Sequence, residues 1–403
     1  MTRIGIIREG KTPPDHRVPL TPTQAKFINE SYQDVEVVCQ TSTIRCFNDY
    51  QYEEEGIKIV ESLDDCDIIF GVKEVEINDL LDDKTYFFFS HTIKEQPYNQ
   101  GLLQEILTKK IRLIDYEVLT SEDGQRIIAF GRWAGIVGAY NGLYTIGKRY
   151  NLYDIRRAHE CFNYDDFKSE YKKIKLPPGK IAITGGGRVA KGAIEVLNGV
   201  GLRKVIPSDY IEKYYHETVF TQLNNRDYNK HKEGASFNRG EFFTNPENFE
   251  RDFKKFAHET DLLIAAAYWD PAAPVLFTRE EACQNDFRIK MIADITCDIE
   301  GSIPSTKKPS TIDDPIYDWD PTQDKICPVF SDEGNISVMA VDNLPCELPR
   351  DASEDFGNQL IKNVLPHLLG DDSRRIIADA TITKDGQLTE KFSYLSDYAD
   401  GKK

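Results

Sequence analysis

This sequence of 403 residues has no closely spaced pair of cysteines. Its eight cysteines form no CxxC pair, and no group of cysteine and histidine has metal-site spacing, so we expect no metal centre. Scattered cysteines of this kind are typical of a reducing compartment, where disulfides are rare. We therefore expect reduced thiols and a cytoplasmic protein.

Long apolar runs and excess positive charge are missing as well. The longest strongly apolar run, LLIAAAYW at 262–269, is far shorter than the roughly 18 to 20 residues of a membrane-spanning helix. The opening MTRIGIIREG resembles a first strand and has no secretory cleavage site. The net charge of -17 disfavours nucleic acid and anionic membrane as partners. An anionic small molecule would need a local basic pocket.

The sequence does contain a repeated alternation of short strands and helices. Thr21, Pro22 and Gln24 have the pattern of an N-cap, a first helical proline and a capping box. Strand patterns follow at VEVVCQ, DIIFGVK, TYFFFSH and IRLIDYE, with helical or turn segments between them. Because the chain is too long for one comfortable core, we predict an α/β fold of two Rossmann-like domains with parallel sheets, separated by an interdomain cleft.

Changes in composition predict the domain boundaries. The small-residue segment WAGIVGAYNGLYTIGKRY at 133–150 predicts a helix that crosses from one domain to the next. Residues 211–260 are polar and aromatic, which predicts an insertion of helices and loops rather than sheet. We place a substrate-side domain at 1–132 plus 345–403, and a dinucleotide-binding domain at 133–344.

A glycine-rich turn follows the strand pattern KIAIT. Gly185, Gly187 and Ala190 form G-x-G-x-x-A, with Arg188 and Val189 inside the motif. The first glycine permits a tight turn, the second lets the backbone approach a pyrophosphate, and the following helix offers its free N–H groups. A strand before the motif and a helix after it predict a dinucleotide site.

Asp209 lies 24 residues after Gly185, where we predict the end of the next strand. A carboxylate at that place accepts hydrogen bonds from the adenosine ribose and repels a 2'-phosphate, which favours NAD over NADP. NADP stays an alternative, because Ser208 and three basic residues are close in sequence. These are Arg203, Lys204 and Lys213.

Two titratable residues directly follow apolar strands in the first half. Lys73 follows DIIFGV and His91 follows TYFFFS. Ligands of open α/β sheets bind beyond the carboxyl ends of the strands, so chemistry is expected there. A lysine of lowered pKa and a histidine suit the removal and addition of protons near neutral pH. A solvated strand end is the alternative for each of them.

Seven segments carry a resemblance over nearly the whole chain. They are RVPLTP at 17–22, KTYFFFSHTIKEQ at 84–96, GLLQEILTKKIRLIDYE at 101–117, RIIAFGRWAG at 126–135, ADITCDIEGSI at 293–303, TIDDPIYDWDP at 311–321 and AVDNLPCELPRDASEDFG at 340–357. They resemble the lysine-2-oxoglutarate reductase domain of the bifunctional lysine-degrading enzyme and, more distantly, fungal saccharopine dehydrogenase. Both are similar to the alanine dehydrogenase and transhydrogenase group.

The resemblance implies roles for individual residues. Lys73 matches the lysine that takes a proton from the substrate's secondary amine, and His91 matches the acid/base of imine hydrolysis. Glu74 and Glu117 match acids that tune these two groups, and Asp342 matches an aspartate in the interdomain cleft. The residues that match substrate-carboxylate contacts are Arg17, Lys94, Gln96 and Arg126. Lys11 lies one position away from the place that a lysine occupies in the corresponding loop of fungal saccharopine dehydrogenase, so it is not an exact match.

The implied reaction interconverts saccharopine with L-lysine and 2-oxoglutarate. It uses NAD, with NADP as the alternative, in a monomer or small homo-oligomer. An amino-acid dehydrogenase of the alanine type is the enzymatic alternative, since its fold would be the same. A nucleotide-binding relative without catalysis is the other, and the presence of both Lys73 and His91 speaks against it.

Overall fold

The computed structural model describes residues 1–402 and contains two compact units. The first unit comprises Met1–Phe130 and the chain from Pro349 onwards, and the second comprises Gly131–Leu348. The strands are β1 (Thr2–Ile6), β2 (Val35–Gln40), β3 (Lys58–Val60), β4 (Ile68–Phe70), β5 (Thr85–Phe88), β6 (Arg112–Asp115), β7 (Gly179–Thr184), β8 (Arg203–Lys204), β9 (Thr218–Leu223), β10 (Asn229–His231), β11 (Phe249–Arg251), β12 (Leu262–Ala265), β13 (Met291–Asp294), β14 (Ile316–Asp320), β15 (Lys325–Cys327), β16 (Ile336–Met339), β17 (Thr381–Lys384) and β18 (Gln387–Leu388).

Helices alternate with these strands in both units. They are α1 (Pro22–Ser31), α2 (Asp49–Glu54), α3 (Gln100–Thr108), α4 (Gly131–Tyr150), α5 (Tyr164–Lys168), α6 (Arg188–Gly199), α7 (Pro207–Glu212), α8 (Asn225–Tyr228), α9 (Arg239–Thr244), α10 (Lys254–Ala257), α11 (Arg279–Ala282), α12 (Pro349–Asn363), α13 (Leu365–Leu368), α14 (Ile376–Ala380) and α15 (Ser396–Ala399). The predicted start of α1 is confirmed, with Thr21 as N-cap and a capping box to Gln24.

The first unit is built on an eight-stranded sheet in the order β18-β17-β6-β5-β4-β1-β2-β3. Strands β1 to β6 pair in parallel, while β17 and β18 are antiparallel additions at one edge. Along β5, Phe87 enters one apolar cluster and Tyr86 and Phe88 enter another. Both faces of this sheet are therefore buried, as expected for parallel strands with few polar positions.

The second unit has its own eight-stranded sheet, in the order β15-β14-β16-β13-β12-β7-β9-β8. Strand β14 is antiparallel to both its neighbours, β15 and β16, and the other neighbouring strands of this sheet pair in parallel. The α/β prediction of two domains with mostly parallel sheets is thus confirmed, and the antiparallel strands are a difference from it. A separate two-stranded sheet, β10 with β11, lies in the segment after β9.

Two sequence-based expectations for the second unit are wrong. Residues 211–260 are not free of sheet, because the buried strand β9 pairs directly with β7. Helix α4 does not cross between units, because all of it lies in the second unit, against α6. Glycine permits that close packing, since a Cβ at Gly135 would lie 1.9 Å from the Val189 carbonyl oxygen.

Candidate active site

Lys73 and His91 follow two neighbouring parallel strands of the first unit. Strand β4 ends at Phe70, which pairs with Phe87 of β5, so the carboxyl ends of both strands lie side by side. The pairing continues past the strands, because the Phe89 amide donates to the Val72 carbonyl at 3.0 Å. The strand register therefore brings the loops that carry Lys73 and His91 to the same edge of the sheet.

Glu74 links the second of these loops to the N-terminal loop. One carboxylate oxygen of Glu74 lies 2.5 Å from His91 Nδ1, and the other accepts from Lys11 Nζ at 2.7 Å. Burial alone raises the pKa of Glu74, but hydrogen bonds and charge from His91 and Lys11 outweigh it and lower the pKa to about 2. Glu74 is therefore ionised, and it accepts the Nδ1 proton of His91. His91 itself has a left-handed backbone with φ of 53°, which is rare for a residue with a side chain.

Lys73 is half-buried and its pKa is lowered. Burial is the main cause, and the positive charge of Arg17 adds to it. Both effects disfavour the charged amine, because an ammonium loses hydration on burial and is repelled by a nearby cation. The side chain of Lys73 is thus neutral, and able to accept a proton, more readily than an ordinary lysine.

Two buried acidic residues near Lys73, Glu9 and Asp15, were not among the site residues expected from the sequence. Glu9 accepts from the backbone N–H of Val72 at 2.7 Å and from that of Lys73 at 2.9 Å. Burial and the charge of Asp15 raise the pKa of Glu9 to about 8. Asp15 in turn pairs with Arg17, whose Nε lies 2.9 Å from Asp15 Oδ1. No spacing rule identifies Glu9, because its partners Val72 and Lys73 are distant in sequence.

Arg17 is held on two sides. Its guanidinium pairs with Asp15, both side chains being buried, and lies 4.1 Å from the centre of the Phe130 ring. The role of Arg17 toward a substrate carboxylate stays a prediction, since one edge of its guanidinium already faces Asp15.

A second charged group surrounds Glu117. Its Oε1 accepts from Arg126 Nη2 at 3.0 Å and lies 3.5 Å from Lys94 Nζ. Its Oε2 is buried and has no hydrogen-bond partner among residues 1–402. The structure therefore brings three predicted site residues together, with Lys94 and Arg126 beside one oxygen of Glu117. Gln96 follows in the same loop and is exposed, with its carbonyl accepting from Tyr398.

Asp342 belongs to the second unit. It is exposed and follows β16 by three residues. Its charge contributes, after burial, to raising the pKa of the neighbouring Cys297 thiol to about 12.

The glycine-rich turn of the second unit borders a groove of about 760 Å³. Gly185 has φ of 98°, which a side chain would strain, and a Cβ there would lie 2.9 Å from the Ala266 carbonyl oxygen. A Cβ at Gly187 would meet no atom within 4 Å, so the backbone of the turn faces open space. Arg188 and Val189 also line the groove, whereas Ala190 is buried in α6. These features fit a pyrophosphate against the start of α6.

Asp209 is not where the sequence analysis placed it. Strand β8 ends at Lys204, and Asp209 lies in the first turn of α7, paired with Lys213 at 2.8 Å. The strand beside β7 is β9, which the sequence analysis missed, and β8 lies at the sheet edge. Asp209 does not line the groove, so the argument that it favours NAD is lost.

Two family profiles match this chain. Residues 5–137 match the alanine dehydrogenase/PNT N-terminal domain, and residues 172–391 match the alanine dehydrogenase/PNT C-terminal domain. The chain belongs to the alanine dehydrogenase/PNT family. The resemblance expected from the sequence segments is thereby confirmed.

Curated relatives of this family member refine the comparison. The mitochondrial alpha-aminoadipic semialdehyde synthase of Mus musculus is 30% identical over 97% of the chain, which spans 47% of that protein. The saccharopine dehydrogenase [NAD(+), L-lysine-forming] of Emericella nidulans is 27% identical, over 89% of the chain and 90% of that protein. The chain spans about half the length of the first of these two relatives.

A solved structure shows the same fold. An L-alanine dehydrogenase superposes with a TM-score of 0.65 at 17% identity, covering 99% of this chain and 100% of that one. The family and these relatives make the protein an oxidoreductase of the alanine dehydrogenase and saccharopine dehydrogenase type with Rossmann-type nucleotide binding. Among residues 1–402, no helix is both long enough and apolar enough to span a bilayer.

Proposed function

We propose that this protein interconverts saccharopine and water with L-lysine and 2-oxoglutarate, using a nicotinamide dinucleotide. The pairing of Lys73 and His91 on adjacent strand ends carries the proposal, because one group is prepared to accept a proton and the other is oriented by a carboxylate. We assign substrate binding to the first unit and the dinucleotide to the second.

Lys73 accepts the proton of the substrate's secondary ammonium in the lysine-forming direction. Its lowered pKa supports this role, since a neutral amine is needed before the reaction begins. A bound oxidised nicotinamide supplies the hydride acceptor that turns the amine into an imine.

His91 then acts on the imine. Because Glu74 accepts the Nδ1 proton, Nε2 is the free basic nitrogen, and it removes a proton from the attacking water. The resulting imidazolium returns a proton to the leaving amine as the carbinolamine collapses to L-lysine and 2-oxoglutarate. The ionised Glu74 stabilises the positive ring during this step.

The cations around Glu117 support a multiply charged substrate. Lys94 and Arg126 offer positive charge for carboxylates. Saccharopine carries more than one carboxylate and more than one amino group, whereas alanine carries one of each and needs no second pocket.

Steady-state turnover tests the proposal. Saccharopine, with NAD and with NADP in separate assays, should yield reduced nicotinamide in a ratio of one to one with L-lysine. Alanine with the same dinucleotides is the comparison, because alanine dehydrogenase has the same fold. Turnover of alanine without turnover of saccharopine would overturn the proposal.

A further inference from the structure

The groove beside the glycine-rich turn has a wall that does not belong to the eight-stranded sheet. This wall segment, residues 224–253, follows β9 and contains α8, β10, α9 and β11. A small aromatic core fixes it, with Phe242 and Phe249 at a ring distance of 5.1 Å and Phe237 and Phe249 at 5.3 Å. The wall segment is therefore a packed structure that can hold side chains toward the groove.

The groove is basic in a protein of net charge -17. Fourteen described residues line it, and they include three arginines and no carboxylate. The arginines are Arg188, Arg226 and Arg239. Such a lining concentrates positive charge where the rest of the surface is acidic, so it favours an anionic ligand.

The three arginines occupy different places. Arg188 begins α6 directly after the glycine-rich turn, which is the expected place of a pyrophosphate. Arg226 and Arg239 are in the wall segment, and Arg239 lies 5.6 Å from the centre of the Phe243 ring. One group of charges therefore lies at the turn, and a second lies beside it.

The start of the wall segment lies where a dinucleotide fold places the adenosine ribose. The Gly185 amide donates to the Leu223 carbonyl at 2.8 Å, so the residues after β9 adjoin the glycine-rich turn. An acid at this place binds a ribose 2'-hydroxyl, and an arginine accommodates a 2'-phosphate. Here the residues are Asn224, Asn225 and Arg226. Arg226 is exposed, and its ion pair with Asp227 is long, at 3.9 Å.

We propose that Arg226 and Arg239 bind the adenosine 2'-phosphate of NADP(H), so that the wall segment sets the dinucleotide preference. This inference rests on the proposed dinucleotide site. It reverses the preference for NAD that Asp209 suggested, because two amides and an arginine follow β9, the strand beside β7, and line the groove, whereas the next residue, Asp227, does not line it.

The test is equilibrium binding of two adenosine ligands, measured by calorimetry without turnover. Adenosine 2',5'-bisphosphate carries the discriminating phosphate, and adenosine 5'-monophosphate lacks it. The unsubstituted protein should bind the bisphosphate at least about tenfold more tightly, which is ~1.4 kcal/mol. Arg226→Ala and Arg239→Ala should each remove most of this difference, and Arg226→Asp should reverse it.

Arg203→Ala is the matched control. Arg203 is also an exposed arginine after the glycine-rich turn, but it belongs to the edge strand β8, pairs with Glu217 and does not line the groove. It should leave both affinities within about twofold. Thermal unfolding of each variant shows whether the fold is intact.

Three other outcomes would count against the assignment of Arg226 and Arg239. Equal affinities for the two ligands would overturn the assignment to the 2'-phosphate. Equal losses for both ligands in Arg226→Ala and Arg239→Ala would place these arginines at the shared 5'-phosphate and would also overturn it. If neither ligand binds, the dinucleotide site itself is wrong, and the proposed function fails with it.

Discussion

Replacing Glu74 with glutamine should lower turnover of saccharopine by up to about a hundredfold. The substitution keeps the size of the side chain and removes the charge that faces His91 and Lys11. The pKa of Glu74 is about 2 against an ordinary 4.5, which corresponds to ~3 kcal/mol of interaction favouring the carboxylate. Its side chain is 10% exposed, so solvent screens little of this interaction.

The upper limit of the effect follows from how that interaction is shared. If all ~3 kcal/mol stabilised the protonated His91 ring in the transition state, turnover would fall about a hundredfold. Lys11 takes part of it, because its ammonium contacts the second oxygen at 2.7 Å. The glutamine side chain can also turn its NH₂ group toward the ring of His91. The Nδ1 proton then has no acceptor, and the tautomer of His91 is no longer fixed.

The assay compares kcat for saccharopine with the affinity for dinucleotide. Dinucleotide affinity should stay unchanged, because the glycine-rich turn belongs to the second unit. Glu55→Gln is the matched control, since Glu55 pairs with the exposed Lys26 at 3.0 Å and should have no effect on turnover. A change in kcat of less than about threefold in a folded Glu74→Gln protein would refute the role of Glu74.

Three further predictions concern the same loops. His91→Gln should lower turnover by about a hundredfold or more while dinucleotide binding persists, and unchanged turnover would contradict the acid/base role. Lys11→Ala should raise the pKa of Lys73, because Lys11 is one of the cations that lower it and also competes for Glu74. The acidic limb of saccharopine oxidation should then move to higher pH, and a shift to lower pH would disprove this coupling. Glu9 has a pKa raised to about 8, so between the ordinary 4.5 and 8 the folded chain holds a proton that the unfolded chain has released. The free energy of unfolding should therefore fall as pH rises through this window, by at most ~1.4 kcal/mol per pH unit, and Glu9→Gln should flatten the slope in denaturant titrations.

Local sequence patterns predicted the elements that hold the site. The capping box at Thr21, the glycine-rich turn at Gly185 and the positions of Lys73 and His91 after apolar strands each depend on a few consecutive residues. Such signals are readable because the backbone conformation of a turn or a helix start is decided locally. The two strand ends could be expected to meet because consecutive parallel strands often pair.

Sheet order was not predictable in the same way. The sequence places β8 directly after α6, yet β9 is the strand beside β7, and TVFTQL lies within a polar region. Which strand pairs with which depends on packing across the whole unit. Asp209 was therefore assigned to the end of the strand beside β7, but that strand is β9, and Asn224 and Arg226 follow it. The buried acid Glu9 was missed for a related reason, since the backbone groups that it accepts from are distant in sequence.

The surroundings of the cations in the first unit support Lys73, rather than its neighbours, as the proposed base. Lys11 contacts the Glu74 carboxylate, and Lys94 and Arg126 contact that of Glu117. The surroundings of Lys73 are different. The Glu74 carboxylate contacts His91 and Lys11, while burial and the positive charge of Arg17 disfavour the ammonium form of Lys73. A lysine that gains least from its surroundings as a cation is the one that most readily exists as a neutral amine. The proton acceptance proposed for Lys73 therefore depends first on its burial and then on the charges around it, and an acid moved toward Lys73 would oppose it.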